Sequence, residues 1–266
     1  MLECVINISE GTDVELVELI AATAADQLLD IHTDAFHNRS VLTLAGHNVQ
    51  AAARSVAQAA VKDLDLRGHS GVHPRIGVID VVPFVPLSGS SFADAINARN
   101  SFATWAGDAL HLPCFLYGPE RSLPEVRRGA FKSLSPDYGP AVPDPHTGGT
   151  AVGAREILIA YNVYVECDLE EAKRMAVLLR SKSVRVLALP VGDEVQLSAN
   201  LISPAQTGPL DYYQAVSALV KVSRAELVGL IPRSILNSTD ERQWGILDLD
   251  PTKTIEYRLE NRPLYG

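Results

Sequence analysis

The sequence predicts an α+β fold made of two ferredoxin-like (βαββαβ) subdomains with a ligand cleft between them. Two observations point there. Apolar periodicities run strand, helix, strand, strand, helix, strand over residues 2–85, and the same order returns over residues 154–231. Between them lies an excursion over residues 135–150 with Pro136, Pro140, Pro143 and Pro145 and no periodicity, a length that in a compact domain marks a functional loop or a linker. The halves share no sequence repeat, so the duplication is one of pattern. The expected subdomains are residues 1–165 and 166–266.

The elements follow in order. Residues 2–8 read as a strand, and Asn7-Ile8-Ser9-Glu10-Gly11 is a polar turn. Thr12-Asp13-Val14-Glu15 is a capping box that opens a helix through Ala25. Residues 28–31 and 39–45 read as strands, 49–64 as an Ala-rich helix, and 76–85 as a buried strand. A helix over 92–110, a strand over 113–117 and a helix over 123–131 complete the first half. In the second, 154–165 reads as one long apolar strand, followed by a helix (169–181) and two strands (184–191, 194–202) joined at Gly192-Asp193. A helix (212–224) and a strand (225–231) precede a poorly periodic tail from Asn237.

The composition, 47% apolar and 21% charged over 266 residues, is that of a folded chain with sizeable cores. A net charge of -9 argues against generic nucleic-acid binding, so an anionic ligand must be met locally by Arg or Lys. Cys4, Cys114 and Cys167 form no CxxC pair and no disulfide framework, and read as buried small hydrophobes in a reducing compartment. No signal-peptide pattern opens the chain and no run approaches a membrane span; the expectation is a cytoplasmic protein.

The densest chemistry lies in Arg67-Gly68-His69-Ser70-Gly71-Val72-His73-Pro74-Arg75-Ile76-Gly77. Pro74 pushes His73 towards extended backbone, which places an imidazole at the mouth of the strand that follows. His73 is the candidate general acid/base; the bland alternative is a loop histidine that only caps or fills. A second cluster is Asp30-Ile31-His32-Thr33-Asp34, followed by His37-Asn38-Arg39. On one extended segment Asp30, His32 and Asp34 share a face, and one acid there would orient His73. Rival readings are a metal site with His69 and His73, which lacks any recognised ligand spacing, and a solvated strand end. The third cluster is Gly148-Gly149-Thr150-Ala151-Val152-Gly153-Ala154-Arg155. It lacks the Lys-Ser/Thr of a P-loop. Its glycines would admit a flat ring or an amide close to the backbone, with Arg155 on a carboxylate, or they would form a hinge. His47, His111 and His146 read as surface or loop residues.

These residues carry a resemblance. The chain is similar to the formiminotransferase family, best known as the N-terminal half of bifunctional formimidoyltransferase-cyclodeaminases. The match rests on five segments: residues 3–11, 28–41 with Asn38-Arg39, 69–77, 148–162 and 227–232. The resemblance implies two ferredoxin-like subdomains and transfer of a formimidoyl (or formyl) group between N-formimidoyl-L-glutamate and the co-substrate tetrahydrofolate, a one-carbon step of histidine degradation. It implies that His73 is catalytic, that residues Gly148, Gly149, Thr150, Ala151, Val152, Gly153, Ala154, Arg155, Glu156 and Ile157 bind folate, and that the protein is a homodimer. An aspartate thought to assist the histidine aligns with His32, so that support would pass to Asp30 or Asp34. Asn38, Arg39 and Arg75 are the expected substrate contacts. The 266 residues leave no room for a cyclodeaminase half. A folate-binding module without catalysis, or a metal-dependent hydrolase, are the alternatives.

Overall fold

The computed structural model describes residues 1–262. It is a mixed α/β structure with two sheets, and it divides into two units, residues 1–156 and 157–262. The part of the predicted tail that falls on residues 263–266 lies outside the described residues.

The first unit runs β1 (Leu2–Ile8), α1 (Val14–Ala22), β2 (Leu28–Asp34), β3 (Arg39–Gly46), α2 (Val49–Asp63), β4 (Ile79–Pro86), α3 (Phe92–Ala109), β5 (Cys114–Tyr117), α4 (Leu123–Gly129) and β6 (Thr150–Ala154). Its sheet has the order β2-β3-β1-β4-β6-β5; the first four strands pair antiparallel, and β6 lies parallel between β4 and β5. Alternation puts Ile6, Leu42, Val82 and Phe84 in the core that α1, α2 and α3 cover. Val81, Phe115 and Tyr117 belong instead to a smaller core under α4. Phe84 and Phe102 meet at 6.0 Å, a ring pair that contributes about 0.5–1.5 kcal/mol beyond its buried area. Helix starts follow their capping residues: the Asp13 side chain accepts from Leu16 N, and Ser91 and Asp94 form a reciprocal capping box.

The second unit runs β7 (Ile159–Val165), α5 (Leu169–Leu179), β8 (Val184–Val191), β9 (Glu194–Leu201), α6 (Pro209–Ser217) and β10 (Val222–Val228), then the short helices α7 (Arg233–Asn237) and α8 (Ile255–Glu260). Its sheet is antiparallel throughout, in the order β10-β7-β9-β8. Tyr161, Val163, Leu197 and Leu201 form its core with Leu247 and Leu249 of the tail, and the Tyr161 hydroxyl donates to the Leu247 carbonyl at 2.8 Å.

Several expected elements are corrected. The strand expected over 154–165 starts only at Ile159, as β7; residues 155–158 are not strand, and Ala154 ends a separate strand, β6, in the other sheet. β6 packs closely on its neighbour: a Cβ on Gly153 would lie 2.0 Å from the Tyr117 ring of β5, so glycine is needed there. The helix expected over 212–224 begins at Pro209, a favoured first helical residue, and ends at Ser217. Val222 already pairs with Val165, so cross-strand pairing overrides the helical spacing of Leu219 and Val220. The strand expected from Ile76 starts at Ile79, because residues 76–78 pair with the 147–149 loop: Gly149 N donates to Ile76 O and Val78 N to Thr147 O. Cys4 and Cys114 are buried, whereas Cys167 is only half-buried; all three are free thiols.

Candidate functional site

The 64–78 loop is anchored at both ends. Leu66 N donates to His146 O, and Gly77 and Gly148 pair backbone to backbone. Gly148 has φ +69°, and a Cβ there would lie 2.4 Å from the Ile76 carbonyl oxygen, so glycine is required on both counts. In mid-loop a Cβ on Gly71 would meet the His37 carbonyl oxygen at 2.4 Å, which brings the loop down on the β2–β3 turn. Asn38, itself at φ +46°, ties the pieces together: its Oδ1 accepts from Gly11 N at 2.9 Å and its Nδ2 donates to Ser70 O at 2.8 Å.

His73 stands half-buried in the middle of this frame. Its Nδ1 lies 2.8 Å from the Pro74 carbonyl oxygen, an acceptor only, so Nδ1 carries the proton in the neutral ring. Arg39 Nη1 lies 2.6 Å from Nε2 and 2.9 Å from Nδ1. Burial, then the cations of Arg39 and Arg127, push the imidazole down to about 2. The ring is therefore neutral at physiological pH, with Nε2 as its basic nitrogen. Burial also lowers Arg39 to about 10, against the pull of the Asp80 carboxylate. Arg39 Nη2 donates to Asn7 Oδ1, while its Nε is buried without a partner.

The structure brings some of the expected residues together and separates others. Asp34 does not touch the His73 ring. Its carboxylate takes the His37 amide at 2.8 Å and His37 Nδ1 at 3.1 Å. Burial would raise Asp34, but the hydrogen bonds from His37 outweigh it and hold the group at about 2. His37 in turn stands edge-on to His73, ring centroids 6.0 Å apart. Asp30 lies further along β2, opposite Thr43 of β3, and His32 opposite Val41. Arg75 turns back on its own loop: its guanidinium contacts the His69 ring, and Nη2 donates to the carbonyls of His73 (2.7 Å) and His37 (3.3 Å). The run from Gly148 to Ala154 is buried, with the space beside Gly149 taken by Phe131 and that beside Gly153 by Tyr117. Only Arg155, Glu156 and Ile157 at its end are partly or fully exposed; Arg155 Nη1 donates to the Glu156 carbonyl. Among the described residues, no group of three or more His, Cys, Asp or Glu side chains gathers with metal-ligand geometry.

Three residues of this environment escaped the sequence reading. Asn7, 7% exposed within an apolar strand, holds Arg39. Asp80, 1% exposed, sits where the β1–β4 register slips: Asn7 faces Val81 and Ile8 faces Ile79, so Asp80 is the extra residue of a bulge. Arg127 of α4 meets its carboxylate with Nη2 at 2.6 Å and Nη1 at 3.1 Å. The signal was available: a lone acid inside a buried strand requires a cation or donors, because an unpaired buried charge is too costly.

The site thus gathers a half-buried imidazole, a guanidinium from β3 and an ion pair between β4 and α4 in the first unit of a mixed α/β fold. Comparison with known proteins gives the family. The family description "Formiminotransferase domain, N-terminal subdomain" matches residues 1–155. A glutamate formimidoyltransferase of Streptococcus pyogenes serotype M1 is 33% identical, covering 99% of this chain and 99% of that protein. One from Thermoplasma acidophilum is 31% identical over 98% of this chain and 97% of its own length. The formimidoyltransferase-cyclodeaminase of Gallus gallus is 33% identical over 89% of this chain but only 51% of its own length, so the chain spans about half of that bifunctional relative. The chain belongs to the formiminotransferase family.

Proposed function

We propose that this protein is a glutamate formimidoyltransferase, which moves a formimidoyl group between N-formimidoyl-L-glutamate and tetrahydrofolate with His73 as the proton carrier. Full-length similarity to two proteins of that name supports the activity. The observation that carries the role of His73 is its Nε2, left basic by the Nδ1–Pro74 hydrogen bond and faced by Arg39. In the transfer, the amine of one partner attacks the formimidoyl carbon of the other, and the tetrahedral intermediate collapses with loss of the original nitrogen. The incoming nitrogen loses a proton and the leaving nitrogen gains one; a single imidazole does both in turn, which is worth roughly 10²–10⁴-fold.

The free protein holds His73 too acidic for that task, and the substrate supplies the remedy. A carboxylate of N-formimidoyl-L-glutamate that draws Arg39 away from Nε2 takes the nearest cation from the ring and brings a negative charge near it; both raise its pKa, against the burial that remains the larger cause of its depression. Arg39 is then the substrate-binding cation, and Asn38 and Arg75 shape the loop that presents it. Asp34 acts one ring removed, through His37. Tetrahydrofolate meets the exposed end of the glycine run, where Arg155 holds a carboxylate of its glutamate tail. Both sheets read as ferredoxin-like units, since each has the βαββαβ order with its first strand between the fourth and the third. A cytoplasmic homodimer is the expected state.

The test is release of L-glutamate from N-formimidoyl-L-glutamate with and without tetrahydrofolate. His73→Ala is expected to abolish turnover while tetrahydrofolate binding persists. Wild-type rates in that variant would remove His73 from the chemistry, and no folate-dependent release by the intact protein would end the activity itself.

A further inference from the structure

The acid expected to set the His73 imidazole for proton transfer is engaged elsewhere. A carboxylate on Nδ1 fixes the tautomer and the ring plane, yet Asp34 is spent on His37. Besides Arg39 Nη1 at 2.9 Å, what Nδ1 meets is a neutral backbone carbonyl, that of Pro74, at 2.8 Å, and of the two only the carbonyl can accept a proton from it. That carbonyl is itself held. Arg127 Nη1 donates to the same oxygen at 2.9 Å, using its second lone pair, and also reaches Asp80 Oδ1 at 3.1 Å. Asp80 Oδ1 takes the Ile76 amide at 3.0 Å as well, so one buried carboxylate pins the loop on the far side of Pro74 and the guanidinium that clamps Pro74.

We propose that the Asp80–Arg127 ion pair is the positioning device of His73. It locks the Pro74 carbonyl onto Nδ1, keeps the proton there, and leaves Nε2 as the nitrogen aimed at substrate. Neither residue touches the reacting atoms; both act through Pro74. The bulge at Asp80 is what turns its carboxylate out of the strand ladder and towards α4.

The ion pair also explains why the clamp uses a paired arginine. A bare cation on the Pro74 oxygen would draw electron density from the carbonyl and weaken it as the acceptor for Nδ1–H. Asp80, bidentate to Arg127, offsets that pull while keeping the fork geometry rigid. A lysine at position 127 would carry the charge without the planar fork.

The inference deepens the reading of His73 as proton carrier, and its test separates the two. Protein labelled with ¹⁵N-histidine reports the tautomer directly, with His73→Gln identifying the signal. Wild-type protein is expected to show His73 protonated on Nδ1. Arg127→Gln and the charge-balanced double variant Asp80→Asn/Arg127→Gln are expected to show both tautomers in exchange. Their kcat for formimidoyl transfer should fall by about 10²-fold, the scale of a misplaced reacting group, with KM for N-formimidoyl-L-glutamate unchanged. Arg127→Lys is expected to recover part of kcat. The double variant guards against misfolding, since it leaves no uncompensated buried charge. A folded variant that keeps the Nδ1–H tautomer and full kcat overturns the proposal, as does a rise in KM at constant kcat, which would make Arg127 a substrate ligand. If the wild-type protein transfers no formimidoyl group, the activity reading fails while the tautomer experiment still decides this one.

Discussion

The strands β4 and β10 hold the same place in their units, last in a strand–helix–strand–strand–helix–strand order and next to the first strand of their sheet. They differ in what surrounds them. β10 is an edge strand reached directly from α6 through residues 218–221, and it carries exposed Arg224, which pairs with Glu194 at 2.9 Å. β4 is covered on its outer side by β6 and β5, and it is reached through the long 64–78 loop. The extra strands turn an edge into a sheltered interior, where a charge must be paired and an imidazole can be held neutral. The same topology therefore serves as plain scaffold in one unit and carries the proposed proton-transfer site in the other.

The sharpest way to break this comparison is to remove one acid from each unit. Asp80→Ala strips a buried partner from Arg127 and uncaps the Ile76 amide; it is expected to destabilise by about 3–5 kcal/mol, the usual cost of breaking a buried pair. Glu194→Ala removes the partner of an exposed arginine and is expected to cost roughly 0–1 kcal/mol. Urea unfolding of the two variants measures both. Equal costs would mean that β4 is no more sheltered than β10.

A smaller effect separates the glycines. Gly148→Ala forces a side chain onto a positive φ and against the Ile76 carbonyl, and the backbone strain alone is worth on the order of 1–3 kcal/mol. The same change releases the anchor of the His73 loop, so activity should drop with stability. Gly208, at the start of α6, has φ −87°, and an added Cβ there would find its nearest neighbour at 3.5 Å; Gly208→Ala is expected to change the melting temperature little. A melting curve for each variant, with transfer activity alongside, checks the pair.

How far the sequence foretold this division can be read from particular residues. The strand over residues 184–191 was legible because an antiparallel strand with one covered face writes period two into the chain, as in buried Val184 and Val186 beside exposed Arg185 and Leu187. The separate strand at Thr150–Ala154 was hidden, since a parallel strand buried on both faces shows no alternation and this one lies at the end of a Pro/Gly-rich stretch. The His73 loop and Arg39 stood out because no packing need explains so many imidazoles and guanidiniums together. Asp80 and Arg127 did not, because their partnership joins a bulge to a helix 47 positions away and leaves no local pattern. The glycine run was legible as a place of close approach, but what approaches it is the protein's own Ile76, Phe131 and Tyr117.

The gentlest probe is pH. His73 is faced by Arg39 from β3, by Arg127 from α4, by the His37 ring and by the Pro74 carbonyl, and it is held down to about 2. The unfolded chain binds a proton at this residue below about pH 6.5 and the folded chain does not, so stability rises with pH across that window and is lost on acidification. The loss is at most about 1.4 kcal/mol per pH unit, and less because the ring keeps some contact with solvent. Asp34 has the same sign but a lower window: held at about 2, its carboxylate contributes fully above the ordinary carboxylate range and loses that contribution only as pH falls from there towards 2. Between pH 6.5 and about 4.5 the His73 contribution therefore stands apart from that of Asp34. Urea midpoints of wild type and His73→Gln are expected to converge as pH is lowered through this window, or to cross with the variant the more stable. Parallel curves would show that His73 takes up its proton in the folded protein as readily as in the unfolded chain, and the sheltered interior behind β4 would lose its chemical meaning.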